Sequence, residues 1–231
     1  LNDGKGAFTP ASNGALPNFT DNSSCVIASD FDRDGDLDLF VGGRVVSGEY
    51  PIAANSRLLI NESTPGGAIK FIEAAPEKAP GLKNSGLVTS ALWSDVDTDG
   101  WLDLLVTHEW GPIKLFLNKK GILTEATKSA GLANHLGWWN SIVGGDIDND
   151  GHPDLVVGAP QGNVVYIPGA AQVDWPTGEA FVFSGAPGSM AGNLTPSDAF
   201  AHVLGHDYRS ASVAFPDLLG WALSAAGDVN G

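Results

Sequence analysis

The sequence has little of what several common protein classes require. A single cysteine, Cys25, among 231 residues rules out an intrachain disulfide framework. Lysine and arginine number 12 against 27 aspartate and glutamate residues, which gives a net charge of −15. Binding to nucleic acid or to an acidic membrane surface needs a basic face, so neither is expected. No apolar run is long enough for direct membrane insertion, and no signal peptide is visible, so an export signal is expected either upstream of Leu1 or not at all.

The chain is rich in glycine and in short apolar runs. It contains 30 glycines, and hydrophobic residues make up 43% of it. Many short strands joined by tight turns have this composition, and the length suffices for one large domain with a sizeable core. The sequence therefore predicts an all-β fold. Cys25 precedes Val26 and Ile27 and is expected to be a buried structural thiol, with a catalytic or intermolecular thiol as the alternative.

One acidic nine-residue motif occurs three times. Aspartate stands at its first, third, fifth and ninth positions, and glycine follows the fifth. The copies are residues 30–38 (DFDRDGDLD), 95–103 (DVDTDGWLD) and 146–154 (DIDNDGHPD). A fourth copy begins at 228–231 (DVNG), where only two of the polar positions are kept. The starts of successive copies lie 65, 51 and 82 residues apart, which indicates one supersecondary unit per repeat with insertions of variable length.

The motif has the chemistry of a calcium loop. Alternate side chains of a tight loop point inward, so several oxygens can converge on one hard cation. An EF-hand is excluded, because its twelfth position needs a bidentate glutamate, whereas Val41, Val106 and Val157 stand there. Each loop also runs into an apolar, β-branched segment, which indicates a strand. Acidic turns without metal are the alternative, although four carboxylates in nine residues repel one another strongly.

The motifs resemble the FG-GAP/VCBS repeat family, the calcium-binding blades of integrin-like β-propellers. The resemblance is carried by residues 145–151 (GDIDNDG), 154–160 (DLVVGAP) and 220–231 (GWALSAAGDVNG). The N-terminal two-thirds is also similar to bacterial VCBS proteins of the cartilage acidic protein type, through residues 115–118 (LFLN), 131–132 (GL) and 137–140 (GWWN). The resemblance implies a β-propeller of four-stranded blades with a structural calcium ion in each complete loop.

The family pattern also implies the ligands of about three Ca²⁺ ions, one for each complete loop. Four side chains and one main-chain carbonyl are expected in each case. The side-chain ligands are Asp30, Asp32, Asp34 and Asp38, then Asp95, Asp97, Asp99 and Asp103, then Asp146, Asp148, Asp150 and Asp154. The carbonyls are those of Asp36, Trp101 and His152.

The repeat spacing divides the chain into blades. The end of one blade is expected at 1–22, complete blades at 23–76, 87–128 and 138–205, and the start of a further blade at 217–231. Within 160–216 two arrangements are open: the third and fourth strands lie at 164–167 and 180–183, or at 180–183 and 200–204. Three complete blades do not close a ring, so the chain is expected to be a fragment of a larger, about seven-bladed propeller.

The seven tryptophans are candidates either for packing between blades or for ligand stacking. Trp110, with His108, is the predicted ligand-facing patch. No catalytic set is recognised, so the predicted function is non-catalytic adhesion or recognition, in a secreted or cell-surface protein. The expected partners are an extracellular protein, a carbohydrate or other copies of the chain. The alternatives are an accessory propeller of a secreted lyase or phospholipase and a building block of a surface layer or filament.

Overall fold

The fold was obtained as a computed structural model, which describes residues 1–164 except 3, 12 and 135, residues 176–185, and the strands at 201–204, 208–210 and 213–215. Three antiparallel four-stranded sheets follow one another along the chain, and in each the strands are hydrogen-bonded in sequence order. The first sheet contains β1 Asn22–Ser29, β2 Asp38–Val45, β3 Arg57–Asn61 and β4 Phe71–Glu73. The second contains β5 Leu87–Ser94, β6 Asp103–Glu109, β7 Lys114–Asn118 and β8 Leu123–Glu125.

The third sheet decides between the two arrangements left open by the sequence. It contains β9 Ser141–Gly145, β10 Asp154–Val164, β11 Pro176–Phe183 and β12 Ala201–Leu204. The observed third and fourth strands are therefore those at 180–183 and 200–204, and β10 extends through residue 164. A further antiparallel pair, β13 Tyr208–Ser210 and β14 Val213–Phe215, follows. The predicted blade start at 217–231, with the partial fourth loop, lies outside the described residues.

Helical structure is brief in the described part of the chain. The α-helix α1 Ala75–Lys78 and a 3-10 turn at Pro80–Leu82 connect the first sheet to the second, and a 3-10 turn at Leu132–Asn134 precedes the third. Ahead of β1, the described residues form an isolated bridge between Asn2 and Phe8. No helix in the described part of the chain is both long and apolar enough to cross a membrane.

Two hydrophobic cores lie between neighbouring sheets. The first joins the first and second sheets around Phe31, Phe40 and Phe116, all fully buried. The second joins the second and third sheets and includes Trp139 and Phe181, which pack edge to face at 6.0 Å. Strand β5 contacts both β1 and β9, so the sheets meet through their first strands. This all-β arrangement is consistent with a β-propeller fragment.

The first two sheets approach closely at Gly42 in β2. A Cβ atom at this position would lie 2.6 Å from Val88 Cγ1 and 2.7 Å from the Cys25 sulfur, closer than real contacts allow. Cys25 is half-buried and packs against the first core, and burial raises the pKa of its thiol. Only glycine therefore allows β1, β2 and β5 to meet here.

Candidate metal centres and an aromatic surface

The three acidic motifs occupy the same place in the three sheets. Each connects the first strand of a sheet to the second, and its ninth aspartate pairs across the ladder with the residue before the motif. The pairs are Ser29 with Asp38, Ser94 with Asp103, and Gly145 with Asp154. The motifs, called here the first, second and third loops, lie at corresponding ends of their sheets, which we call the loop edge.

The loops share a backbone conformation as well as a sequence. The fourth and sixth positions of each loop have positive φ, at Arg33 (62°) and Gly35 (100°), Thr98 (55°) and Gly100 (86°), and Asn149 (60°) and Gly151 (89°). Glycine adopts this conformation without strain, which explains why the motif keeps it at the sixth position. The non-glycine residues at the fourth position adopt it at some cost.

Main-chain amides hold the carboxylates of each loop. The first aspartate accepts a hydrogen bond from the N–H of the sixth residue, at 3.2, 2.8 and 3.0 Å in the three loops. The fifth accepts from the N–H of the seventh residue, at 3.1, 2.9 and 2.8 Å. The seventh residues, for which a carbonyl ligand was predicted, are Asp36, Trp101 and His152. Each of these residues closes its loop by donating this N–H bond, and the Trp101 ring also contacts the Arg33 guanidinium.

The ninth aspartate ties each loop to a neighbouring segment of its sheet. Asp38, Asp103 and Asp154 are 1%, 0% and 0% exposed. Each accepts a main-chain N–H bond, from Asn61 (2.8 Å), Asn118 (2.7 Å) and Gly185 (2.8 Å) respectively. Burial raises the pKa of Asp38 to about 7 and that of Asp103 to about 6, against the lowering effect of these hydrogen bonds. A charged carboxylate at this position is therefore costly until a cation compensates it.

The arrangement fits a hard cation. In each loop three carboxylates offer oxygens that all lie within 4.8 Å of one another: Asp30, Asp32 and Asp34; Asp95, Asp97 and Asp99; and Asp146, Asp148 and Asp154. In the first loop four buried oxygens have no hydrogen-bond partner among the described residues, namely Asp30 Oδ1, Asp32 Oδ1, Asp36 Oδ1 and Asp38 Oδ2. Asp36, for which the sequence pattern predicted only a carbonyl ligand, thus also has a buried side-chain oxygen without a partner among the described residues.

Lysines contact two of the three loops. Lys119 Nζ donates to Asp97 Oδ2 at 2.8 Å and also to Asp99 Oδ2. Lys78 Nζ donates to Asp32 Oδ2 at 3.0 Å. The bond from Lys119 lowers the pKa of Asp99 and raises that of Lys119. Within the described ranges, no lysine or arginine pairs with a carboxylate of the third loop.

An aromatic surface lies at the opposite edge of the second sheet, where β6 ends. It consists of Tyr50, Trp110 and Trp138. Tyr50 and Trp110 are 61% and 63% exposed. The Trp110 and Trp138 rings lie 4.7 Å apart between centroids, because main-chain bonds between Gly111 and Gly137 place the two residues side by side.

A chain of hydrogen bonds links Trp110 and Tyr50 to the buried side chain of Glu109. Trp110 Nε1 donates to the Tyr50 hydroxyl at 3.2 Å, and that hydroxyl donates to Glu109 Oε1 at 2.7 Å. Glu109 is buried and also pairs with Arg44. Trp110 has a φ of 61°, which is unusual for so bulky a residue. The backbone strain at Trp110 and the ion pair between buried Glu109 and half-buried Arg44 thus hold Tyr50 and Trp110 out in solvent, an arrangement more typical of binding surfaces than of cores.

The structure separates the two residues of the predicted ligand-facing patch. Trp110 faces solvent, whereas His108 is 1% exposed. Its Nδ1 lies 2.9 Å from the Pro112 carbonyl oxygen and donates to it, and burial lowers the pKa of the ring to about 4. Sequence reasoning missed Tyr50 and did not single out Trp138, since no local pattern reveals contacts of Trp110 with residues 60 and 28 positions away.

A model of the FG-GAP-like repeat family matches residues 1–41 and 95–157. The first match contains the first loop, and the second match contains the second and third loops. No curated protein matches the chain. All three loops with this shared geometry lie within the matched segments, which supports FG-GAP-like repeats in those segments.

Proposed function

We propose that this protein is a calcium-stabilised, non-catalytic β-propeller module that recognises an extracellular protein, a carbohydrate or other copies of itself. FG-GAP-like repeats support this proposal, because they typify propeller modules often used in extracellular recognition. We place the chain within a larger, about seven-bladed propeller. Among FG-GAP proteins we favour kinship with the bacterial VCBS proteins of the cartilage acidic protein type for the N-terminal two-thirds.

The unpartnered oxygens of the first loop carry the calcium proposal. Four buried oxygens from four carboxylates lack a donor among the described residues. Burying such groups without compensation is costly, so a cation is the expected partner. Oxygen-only ligands select a hard ion, and a loop offering up to five carboxylates suits Ca²⁺ better than Mg²⁺, which keeps more of its waters. Loops of this kind fill reliably where calcium is millimolar, which favours an extracellular or cell-surface location.

Calcium is proposed to act structurally. The ninth aspartate of each loop already links the loop to another segment of its sheet by a main-chain bond. A bound ion would tie the first, third and fifth aspartates to this anchor and so clamp the first two strands together.

Thermal unfolding with calcium or with chelator tests this proposal. Calcium should raise Tm by roughly 10–20 °C, since three sites filled well above their dissociation constants stabilise the folded state additively. Metal analysis of the desalted protein should find about three Ca²⁺ per chain, one for each loop. Equal Tm in both buffers, together with no bound metal, would refute calcium stabilisation.

We place ligand recognition on the aromatic surface. The Trp110 indole N–H and the Tyr50 hydroxyl are engaged internally, so these two rings offer mainly their faces to a ligand. Ring faces stack on the C–H faces of sugars and on apolar or cationic side chains of proteins. Screening parent protein and Trp110→Ala against immobilised oligosaccharides and extracellular matrix proteins tests this. Phe8→Ala, which removes an aromatic ring that is 77% exposed elsewhere, is the matched control. Equal binding by all three proteins would place recognition elsewhere.

A further inference from the structure

In the second loop a lysine of the chain bridges two carboxylates, whereas in the first loop Lys78 pairs with one. Lys119 follows β7 and lies in the turn that leads to β8. Its ammonium group bridges Asp97 and Asp99, the third and fifth positions of the loop. These are two of the three carboxylates whose oxygens cluster within 4.8 Å.

Lys119 contacts the oxygens that a metal ion would need. Asp97 Oδ1 accepts the Asp99 N–H at 3.3 Å, and Asp99 Oδ1 accepts the Trp101 N–H at 2.9 Å. The Oδ2 atom of each residue is left for a cation, and Lys119 binds both of them. An incoming ion must therefore displace the ammonium group or share these oxygens with it.

The turn holds Lys119 in position. The Lys119 N–H donates to the Ile122 carbonyl at 2.9 Å, and the Gly121 N–H donates to Asn118 Oδ1 at 2.9 Å. Asn118 in turn donates from its main-chain N–H to Asp103, the ninth residue of the loop, at 2.7 Å. The backbone that carries the lysine is thus fixed to the loop that the lysine contacts, which lowers the entropy lost on pairing.

Among the described residues, no lysine or arginine bridges two carboxylates of the first or the third loop. In the first sheet, Asn61 takes the place of Asn118 by donating to Asp38, and the residue after it is Glu62, an acid. Lys78 contacts one carboxylate of the first loop, and four buried oxygens there still have no partner among the described residues. For the third loop, the described residues include no lysine or arginine partner.

We propose that Lys119 is a resident counter-ion of the second loop, which Ca²⁺ must displace, so that this loop binds calcium most weakly of the three. The inference rests on the proposed calcium binding. Lys119 then has opposite effects in the two states: it stabilises the calcium-free loop by relieving carboxylate repulsion, and it opposes binding of the ion. The second loop accordingly fills last as calcium rises.

Lys119→Gln tests the proposal, and Lys120→Gln is its matched control. Both variants remove one positive charge from the same turn, but only Lys119 contacts the loop. Trp101 provides a reporter, since among the loops only the second carries an indole within the motif. Luminescence of Tb³⁺, a hard ion that binds oxygen ligands, is excited through a neighbouring indole, and Ca²⁺ competition against it measures calcium affinity. Because the Trp101 ring also lies against Arg33 of the first loop, the part of the signal lost in both Trp101→Phe and Asp97→Asn is the part that belongs to the second loop.

Lys119→Gln should tighten calcium binding at the second loop roughly tenfold, as expected for removal of two competing exposed ion pairs. It should also lower Tm in chelator relative to Lys120→Gln. Tighter calcium binding together with a lower Tm in chelator is not expected of a purely structural lysine. Loss of such a lysine would lower the stability of the calcium-free and the calcium-bound protein alike. If the parent binds three calcium ions and the two variants bind with equal affinity, the role of Lys119 is overturned while the proposed function stands. If the parent binds no calcium in any loop, the proposed function itself is overturned.

Discussion

Strand β6 joins two edges of the second sheet that are stabilised in different ways. The strand begins at Asp103, in the second loop, and ends at Glu109, beneath the aromatic surface. Both carboxylates are buried. Asp103 accepts hydrogen bonds from main-chain N–H groups, whereas Glu109 accepts from the side chains of Arg44 and Tyr50.

The two edges differ in whether their stabilising contacts come from a local repeat or from distant segments of the chain. The loop edge repeats a local motif in three sheets, and the partners of its ninth aspartates are backbone N–H groups that nearly any sequence supplies. The opposite edge uses particular side chains from segments 59 and 65 residues away in sequence. A repeat thus provides a common scaffold at one edge, while the other edge is specific to this chain.

The largest effect is expected from Asp103→Ala. The change removes the acceptor of two main-chain N–H groups, those of Val96 (3.0 Å) and Asn118 (2.7 Å), which cannot turn to water. Each buried donor left unsatisfied costs 1–3 kcal/mol, so the free energy of unfolding in chelator should fall by about 4 kcal/mol. Urea denaturation measures it. Asp99→Ala is the control within the same loop, because Asp99 is exposed; an equally large loss in the control would contradict the assigned role of Asp103.

The second expected effect is on the pH dependence of stability. The pKa of buried His108 lies near 4 against 6.5 for a free histidine, so the unfolded chain binds more protons between these values. Stability is therefore full above pH 6.5 and falls as pH is lowered to about 4, by up to about 3 kcal/mol. His108→Gln keeps a donor for the Pro112 carbonyl but does not titrate. In saturating calcium, the parent should lose stability more steeply on acidification than the variant; parallel profiles would contradict this prediction.

A smaller effect is expected at the other end of β6. Glu109→Ala breaks the contacts with Arg44 and Tyr50, but both partners can rotate into water, since the Arg44 side chain is 29% exposed and Tyr50 is 61% exposed. We expect a loss of about 1 kcal/mol in the free energy of unfolding, well below that of Asp103→Ala. Equal losses for the two alanine variants in urea denaturation would remove the distinction between the edges.

The smallest effect on stability is expected from Trp110→Ala. The ring is 63% exposed and sits on a strained backbone, so its removal should change the free energy of unfolding by no more than about 0.5 kcal/mol. Ligand binding should nevertheless be lost, if the aromatic surface is the recognition site. A loss of several kcal/mol in urea denaturation would show instead that Trp110 is a core residue.

Much of the loop edge could be predicted from sequence because its determinants lie within nine residues. The aspartate spacing and the glycine fix the turn, and the β-branched residues that follow it form strands. The buried side-chain oxygen of Asp36 was not predicted, since the family pattern gives the seventh position a carbonyl ligand. Lys119 was missed because it lies 20 and 22 positions from its partners Asp99 and Asp97.

The opposite edge could be predicted only in part. Trp110 was expected to face a ligand, and it does face solvent. His108 was assigned to the same patch because the two residues are close in sequence, but it belongs to a strand whose seven residues are all buried. At Trp110, directly after this buried strand, the backbone has a positive φ and the side chain becomes exposed. A local apolar pattern does not reveal this change from buried to exposed.

Because the first two sheets approach closely at Gly42, the rate at which the Cys25 thiol is labelled should report how often the sheets separate. The Cys25 sulfur lies against Gly42 at the contact between the first two sheets, so a thiol reagent should react faster when β2 and β5 move apart. Since the chain has a single cysteine, the labelling rate reports one event at one place. Metal ions would bind at the loop edge, away from the thiol. They should nevertheless slow the labelling of Cys25, because they suppress the opening of the sheets.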